Sequence, residues 1–426
     1  MRRIYLLATT LAAFFIPFAS LRLATVFFTL SDSFFIAAGA ALALHLLFEK
    51  GAVRGQDNLS GLRKTWLMGS LMVTVGLLLS ELFLVKDSGN WISEILQYNF
   101  VFVFLPYLLS FFDYEETVRI GKALVAGLTS SILVGAALWI LARPLYLEMV
   151  ERGILYGTER AGFFTGPNGT PRVIALCMPL TFFLYERKKI SRLTMTAVAA
   201  AYMIGTAMAA SWSGTILIVV SLVLLGMLSL IATPQTTLIR FLEAAAAVAL
   251  AFILLEVLAP GIWSENFQNR ILLKMKEGDV SEYGSYETRR NLVTEAVSFI
   301  EDSPLLGFGA GNYKKHSLYN LQPHNSFLLV FAEGGVLSFA GLLLIVISGL
   351  VYILRGCLKR KSLAPGIPAL AAFVIMALGF FFSNEPYGRY TIFPPLLMIF
   401  YLEKWPEGSS AGYGDPGERT AFSQRV

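Results

Sequence analysis

Runs of about 20 mostly apolar residues recur along almost the whole chain, as in LLLIVISGLVYIL at 342–354. A helix rises about 1.5 Å per residue and a bilayer's hydrocarbon core is about 30 Å thick, so such runs have the length of membrane-spanning helices. Inside hydrocarbon every backbone N–H and C=O must be satisfied within the segment, which leaves an all-α, polytopic membrane fold. Composition agrees, with 56% apolar residues, 15% charged residues and a mean hydropathy of +0.64. The pattern predicts twelve spans, at about 4–19, 30–48, 65–86, 97–112, 121–142, 171–186, 193–210, 213–232, 240–258, 326–354, 366–383 and 387–403. The opening MRR resembles the charged start of a signal peptide, but no small-x-small cleavage site ends the first span, so it is kept as a helix.

Positive charge orients the bundle. With the N-terminus inside, the inner segments hold 20 of the 34 Lys and Arg residues, among them Arg2, Lys64, Arg119, Lys189, Arg355 and Lys404. The short outer turns hold Arg22, Lys86 and Arg389, and the rest fall in two longer outer segments, 143–172 and 259–325. Both termini are therefore expected in the cytoplasm, and 404–426, rich in Gly, Ser and charge, reads as a disordered tail. The expected organisation is 1–258 for the first nine spans, 259–325 for one large extracytoplasmic loop with helical content, and 326–403 for the last three spans. Cys177 and Cys357 have no CxxC or metal-ligand spacing, so neither a disulfide nor a cysteine metal site is expected. The distribution of charge suggests no nucleic-acid partner.

The two outer segments carry the unusual residues. The first, RPLYLEMVERGILYGTERAGFFTGPNGTPR, presents Arg143, Arg152, Arg160 and Arg172. Arginine is a planar fork that fits phosphate oxygens in pairs, and the turn-forming RAGFFTGPNGTP behind Arg160 can aim it into a cavity. An interfacial arginine reaching lipid headgroups is the alternative. In the second segment, SYETRRNLVTEAVSFIED has the apolar spacing of an amphipathic helix, with Arg289 and Arg290 in its first turns. Positive charge there opposes the helix dipole, so anion binding explains it better than stability does. The glycines of GFGAG (307–311) permit close backbone approach and can line an anion nest, although no GK[ST] follows to make a P-loop. Tyr286, Asn312 and Lys314 are nearby candidates by sequence proximity alone.

Of three histidines, His45 reads as a helix-end residue and His316 as a solvated loop residue. His324 sits at the mouth of the tenth span, fixed by Pro323 and followed by Asn325. An imidazole with an ordinary pKa near 6.5 can take a proton outside a cell. Three scattered histidines and no carboxylate cluster give no metal site, and no cofactor is implied. Arginines that hold a diphosphate and a histidine that deprotonates a hydroxyl together suit group transfer from a lipid diphosphate to an alcohol.

These residues resemble the O-antigen ligase and O-antigen polymerase superfamily of bacterial envelope glycosyltransferases. The likeness is carried by SWSGT, TRRNLVTEAVSFIEDSPLLGFGAGNY and PHNSFLLVFAEGGVLS over about 200–345, and by ERAGFFTGPNGTP in the first outer segment. His324, Asn325 and Gly335 fit the ligases' spaced pattern, while Ser338 departs from its last position. The resemblance implies a GT-C-like glycosyltransferase in the inner membrane, with a periplasmic site and inverting, metal-independent transfer. It further implies a glycan donor on undecaprenyl diphosphate, with catalytic roles for His324, Arg289 and Arg160. Arg290, Asn325, Arg143, Arg172, Tyr286, Asn312 and Lys314 are expected around the substrate. The acceptor is lipid A-core for a ligase and the next lipid-linked repeat for a polymerase; the compact chain favours the ligase. A transporter or flippase of a lipid-linked glycan is a third reading, disfavoured because basic residues are nearly absent from span centres.

Overall fold

The computed structural model describes residues 1–22, 28–48, 60–84, 91–232, 286–359 and 366–404, with isolated positions 253 and 257. The described chain is helical. In order it forms α1 (Arg2–Phe15), α2 (Leu30–Phe48), α3 (Ser60–Leu84), α4 (Trp91–Asn99), a π-helical turn (Phe100–Phe104), α5 (Leu105–Ser110) and α6 (Tyr114–Leu141). Then follow α7 (Arg143–Glu151), α8 (Gly169–Glu186), α9 (Arg192–Ala209), α10 (Trp212–Ala232), α11 (Tyr286–Asp302) and α12 (Tyr313–His316). Three more, α13 (Ser326–Lys359), α14 (Ile367–Phe380) and α15 (Arg389–Glu403), end the described chain.

Helices stand at eleven of the twelve expected positions, with α4, the π turn and α5 acting as one. The remaining one, the ninth span at 240–258, lies outside the described residues apart from the two isolated positions, as do 259–285 of the large loop and 405–426 of the tail. Among the described residues, six helices are long and apolar enough to cross a membrane by length and composition. The others are shorter, and α8, α14 and α15 are 18, 14 and 15 residues long.

Side-chain contacts define two ends of the bundle. At one, Arg2 bonds Glu116 and Asp113 at 2.8–2.9 Å, Lys189 bonds Glu115 at 2.7 Å, and Lys404 donates to Leu109 O at 2.9 Å. The start of α1 and the close of α15 therefore lie together. At the other end, Arg389 at the start of α15 pairs with buried Asp32 at the start of α2, at 2.8 Å, and reaches Gln97 of α4 at 3.2 Å.

Helix α3 packs closely along α13, antiparallel, and small residues make the approach possible. A Cβ on Gly76 would fall 2.7 Å from Gly334 O, and one on Gly341 would fall 2.5 Å from Gly69 O. Ser338 fits at this crossing, its hydroxyl donating to Val73 O at 3.0 Å.

Helix α13 is broken at Gly335, whose φ of 66° and ψ of −170° are not helical. The break has a geometric reason. The far ends of α13 and α14 touch, since a Cβ on Gly366 would stand 2.0 Å from Cys357 Sγ. Their near ends touch as well, because Ser326 Oγ donates to Ser383 O at 2.7 Å. A straight helix from Ser326 to Cys357 would measure about 46 Å, whereas α14 with its flanking residues covers about 30 Å at most. The stretch Ser326–Gly334 must therefore slant across the end of the bundle.

The glycine run docks on this break. Phe308 N donates to Ala332 O and Gly309 N to Glu333 O, at 2.8 and 2.9 Å, while Val336 N donates to Pro304 O at 2.9 Å. Ala332 O would take Val336 N in an unbroken helix, so loop and helix have exchanged partners. The left-handed φ values of Gly307 (75°) and Gly309 (93°) shape that contact. The amides of Phe308 and Gly309 are thus spent on helix carbonyls, which replaces the anion-nest reading of GFGAG.

Candidate active site

Helix α11 settles which of the neighbouring arginines faces the protein. Arg289, Leu292 and Ala296 follow helical i, i+3, i+7 spacing, and Leu292 and Ala296 are fully buried. Arg289 shares their face and is half-buried, whereas Arg290, one residue around, is exposed. The Nε of Arg289 is buried with no hydrogen-bond partner. A buried charged donor left unmatched costs free energy, so its retention fits a place kept for an anion.

The rest of the loop is tied to α11 through Glu295, which accepts from Ser317 Oγ at 2.8 Å and Leu318 N at 2.7 Å, with Tyr313 Oη 3.1 Å away. This fixes the path into the lip Leu321–Asn325. Pro323 is buried there, and Asn325 caps α13, its Oδ1 accepting from Phe327 N and Leu328 N at 3.0 and 3.1 Å.

His324 therefore stands on a braced support, partly buried, and its ring has no hydrogen bond among the described residues. Burial pushes its pKa down to about 4, and the charges of Arg289 and Arg172 push the same way. The ring is neutral near pH 7. Burial lowers the Arg289 pKa too, with Arg172 adding repulsion. Three cationic or protonatable groups, from 143–172 and 286–325, thus act on one another across a single site.

Arg172 is held by α8 and is only 6% exposed. It donates to Ser383 Oγ at 2.7 Å and Phe382 O at 2.9 Å. The α14–α15 turn that carries these acceptors also takes Ser326 Oγ on Ser383 O, and its Asn384 amide reaches Gln322 at 3.3 Å. Glu385, in the same turn, is exposed, and the charges of Arg172, Arg22 and Arg389 reach it. Tyr390 Oη donates to its carboxylate. Ser383, Asn384 and Glu385 were missed by the sequence reading. Their one signal is the polar break FSNEP between two apolar runs.

The other candidates are elsewhere engaged. Arg160 reaches Ala210 O and Asn168 Oδ1, each at 3.3 Å, and Ser211 Oγ shares that Asn168 oxygen at 3.1 Å. It thereby joins the start of α8, one helical turn above Arg172, to the SWSGT turn at α10, but it is not among the charges that act on His324. Arg143 stacks on Trp139, 3.2 Å from the ring centre, and donates to Thr158 O. Asn312 is buried and donates to Glu81 at 3.2 Å, while Lys314 is exposed on α12. Tyr286 opens α11. Among the described residues, no group of three or more His, Cys, Asp or Glu side chains is arranged to hold a metal ion.

What gathers is an anion-attracting pair of arginines beside a neutral imidazole, at one end of a helical bundle. A search of curated proteins finds no match to this chain. Residues 190–343 match a family model described as O-antigen ligase, and the matched stretch contains Arg289, His324 and Gly335. Over those 154 of its 426 residues the chain is similar to the O-antigen ligase family.

Proposed function

We propose that this protein is a ligase that transfers a glycan en bloc from undecaprenyl diphosphate to a sugar hydroxyl of lipid A-core, at the periplasmic face of the inner membrane. The observation that carries the reading is a neutral His324 flanked by Arg172 and Arg289, with the Arg289 Nε buried and unmatched. The diphosphate binds between the two guanidiniums. Arg160, a turn above Arg172, receives its outer oxygens or the first sugar.

The acceptor hydroxyl gives its proton to a ring nitrogen of His324, and its oxygen attacks the anomeric carbon from the face opposite the diphosphate. The bond from that carbon to the diphosphate oxygen breaks, the electron pair leaves with the diphosphate, and the sugar's configuration inverts. The arginines stabilise the charge gathering on the leaving group. No metal is required, since two guanidiniums supply the positive charge.

The low basicity of free His324 becomes an asset on this scheme. Bound diphosphate neutralises the two arginines, which removes their share of the depression, leaves that of burial, and strengthens the imidazole as a base once the donor is in place. The cationic end that gathers both Arg2 and Lys404 supports a cytoplasmic location for the two termini.

Purified protein with a lipid-linked glycan donor, with and without lipid A-core, tests the assignment. Product that requires lipid A-core and disappears in His324→Ala supports the ligase. Chain growth from the donor alone makes the protein a polymerase, and no transfer with a competent donor overturns the reading.

A further inference from the structure

A second feature lies toward the other end of the bundle. Between α3, the π-helical turn and α15 is a cavity of about 220 Å³ with almost no polar lining. Trp66, Phe102, Leu396 and Phe400 form its buried floor, while Leu67 and Tyr107 stand at its rim, 46% and 52% exposed. The π turn opens it. A widened turn leaves carbonyls without their usual partners, and here Phe102 O is taken by Trp66 Nε1 at 2.7 Å and Ser70 Oγ at 3.3 Å. Indole and hydroxyl thus hold the helix in its widened form, so the groove is built rather than a packing fault.

Its location limits the occupant. Both walls belong to segments apolar enough to cross a membrane, 64–83 and 91–110; in a bilayer such a rim would meet hydrocarbon, which suits a hydrocarbon chain as occupant. The chain segments 49–59 and 405–426 are rich in charge and glycine and make poor fillers for an apolar slot. The site and the groove share one element. Helix α15 begins at Arg389, beside the turn that holds Arg172, and its Phe400 lies about 16 Å further along. A lipid with its headgroup at the arginines and its tail along α15 passes this level.

We infer that the groove binds the isoprenoid tail of a prenyl diphosphate. The inference rests on the proposed donor, for which the tail has to lie against the spans. Each isoprene unit is a flat alkene with a methyl branch, a shape that lies against aromatic rings such as Trp66, Phe102 and Phe400. A saturated acyl chain offers no such planes.

The test uses full-length protein in nanodiscs and an undecaprenyl diphosphate carrying a diazirine near the tail end, with a diacyl phospholipid bearing the same group in its acyl chain for comparison. Photolabelling by the prenyl probe is expected at Leu67, Val103 or Tyr107 and should fall at least tenfold with excess unlabelled undecaprenyl phosphate, but not with phospholipid. Val103→Trp, which fills the groove, and Leu67→Trp, at its exposed rim, should each abolish the label. Equal labelling by both probes, or prenyl labelling confined to other surfaces, overturns the inference. Glycan transfer measured on the same samples separates the two readings. Groove labelling without transfer keeps the groove and sinks the ligase, whereas transfer without groove labelling does the reverse.

Discussion

Arg172 and Ser326 meet on one residue. The guanidinium donates to the hydroxyl of Ser383 and the Ser326 hydroxyl donates to its carbonyl, both at 2.7 Å. One turn between α14 and α15 therefore sets the spacing between the arginine of the first outer segment and the lip that carries His324. Ser383→Ala should remove one partner of a buried cation while leaving the Ser326 bond intact. Hydrogen bonds to charged groups are worth about 1.5–3 kcal/mol, so the thermal midpoint should fall and donor KM should rise, with Ser383→Thr restoring both. Unchanged melting and KM in the alanine variant would remove the turn from the site.

His324→Ala should lower transfer by about 10²- to 10⁴-fold, the usual worth of a general base, without a matching loss of melting temperature. The pH profile is more discriminating. In free protein the imidazole titrates near 4, so the acid limb of kcat/KM should fall close to pH 4, well below the ordinary 6.5. The limb in kcat should lie higher, because bound diphosphate offsets the arginines. Limbs that coincide while still below pH 6.5 would show that the arginines do not act on this ring, and limbs at pH 6.5 would show that burial does not either.

Stability should carry the same signature with a definite sign. A histidine whose folded pKa is lowered binds fewer protons folded than unfolded, so the folded state loses ground as pH falls from about 6.5 to about 4. His324→Gln should flatten that part of a pH–stability curve. An unaltered slope would place the acid sensitivity on other groups.

Arg289→Lys and Arg290→Lys should behave differently. Arg289 points inward with a buried Nε, so replacing its fork by a point charge should weaken donor binding at least tenfold, about 1.4 kcal/mol, whereas exposed Arg290 should tolerate lysine. Donor KM for the two variants decides it, and equal losses would put both arginines in the site.

Asn325→Ala should lose a helix cap worth about 0.5–2 kcal/mol, while Asn325→Ser should keep it. If both melt like the parent and both lose transfer, Asn325 acts on substrate and not on α13.

The helices were legible because hydrocarbon imposes one length and one kind of side chain on any segment that crosses it. The charged candidates were legible because arginine and histidine are conspicuous in such a chain. The assembly of the site was not. Ser383 and Asn384 matter through which backbone and side-chain atoms they bring together, and small polar residues between two spans carry no mark of that. GFGAG was read for its free amides, yet Phe308 and Gly309 spend theirs on Ala332 and Glu333, a partner set by a break in a helix 24 residues downstream of each. Arg160 was given the catalytic role because it sits ahead of a shaped turn and matches the arginine of the resembled family, whereas Arg172, at the edge of a span, was expected only around the substrate. Only the fold shows that the charge of Arg172 acts on His324.

That exchange at Gly335 also has a consequence for how the chain is made. Residues 304–309 leave the ribosome before 332–336, so their donors and acceptors have to wait for a helix not yet synthesised. Protease resistance of 303–312 should therefore appear late, only once α13 has been made through its break, and a chain truncated at residue 325 and released from the ribosome should be cut readily at 303–312.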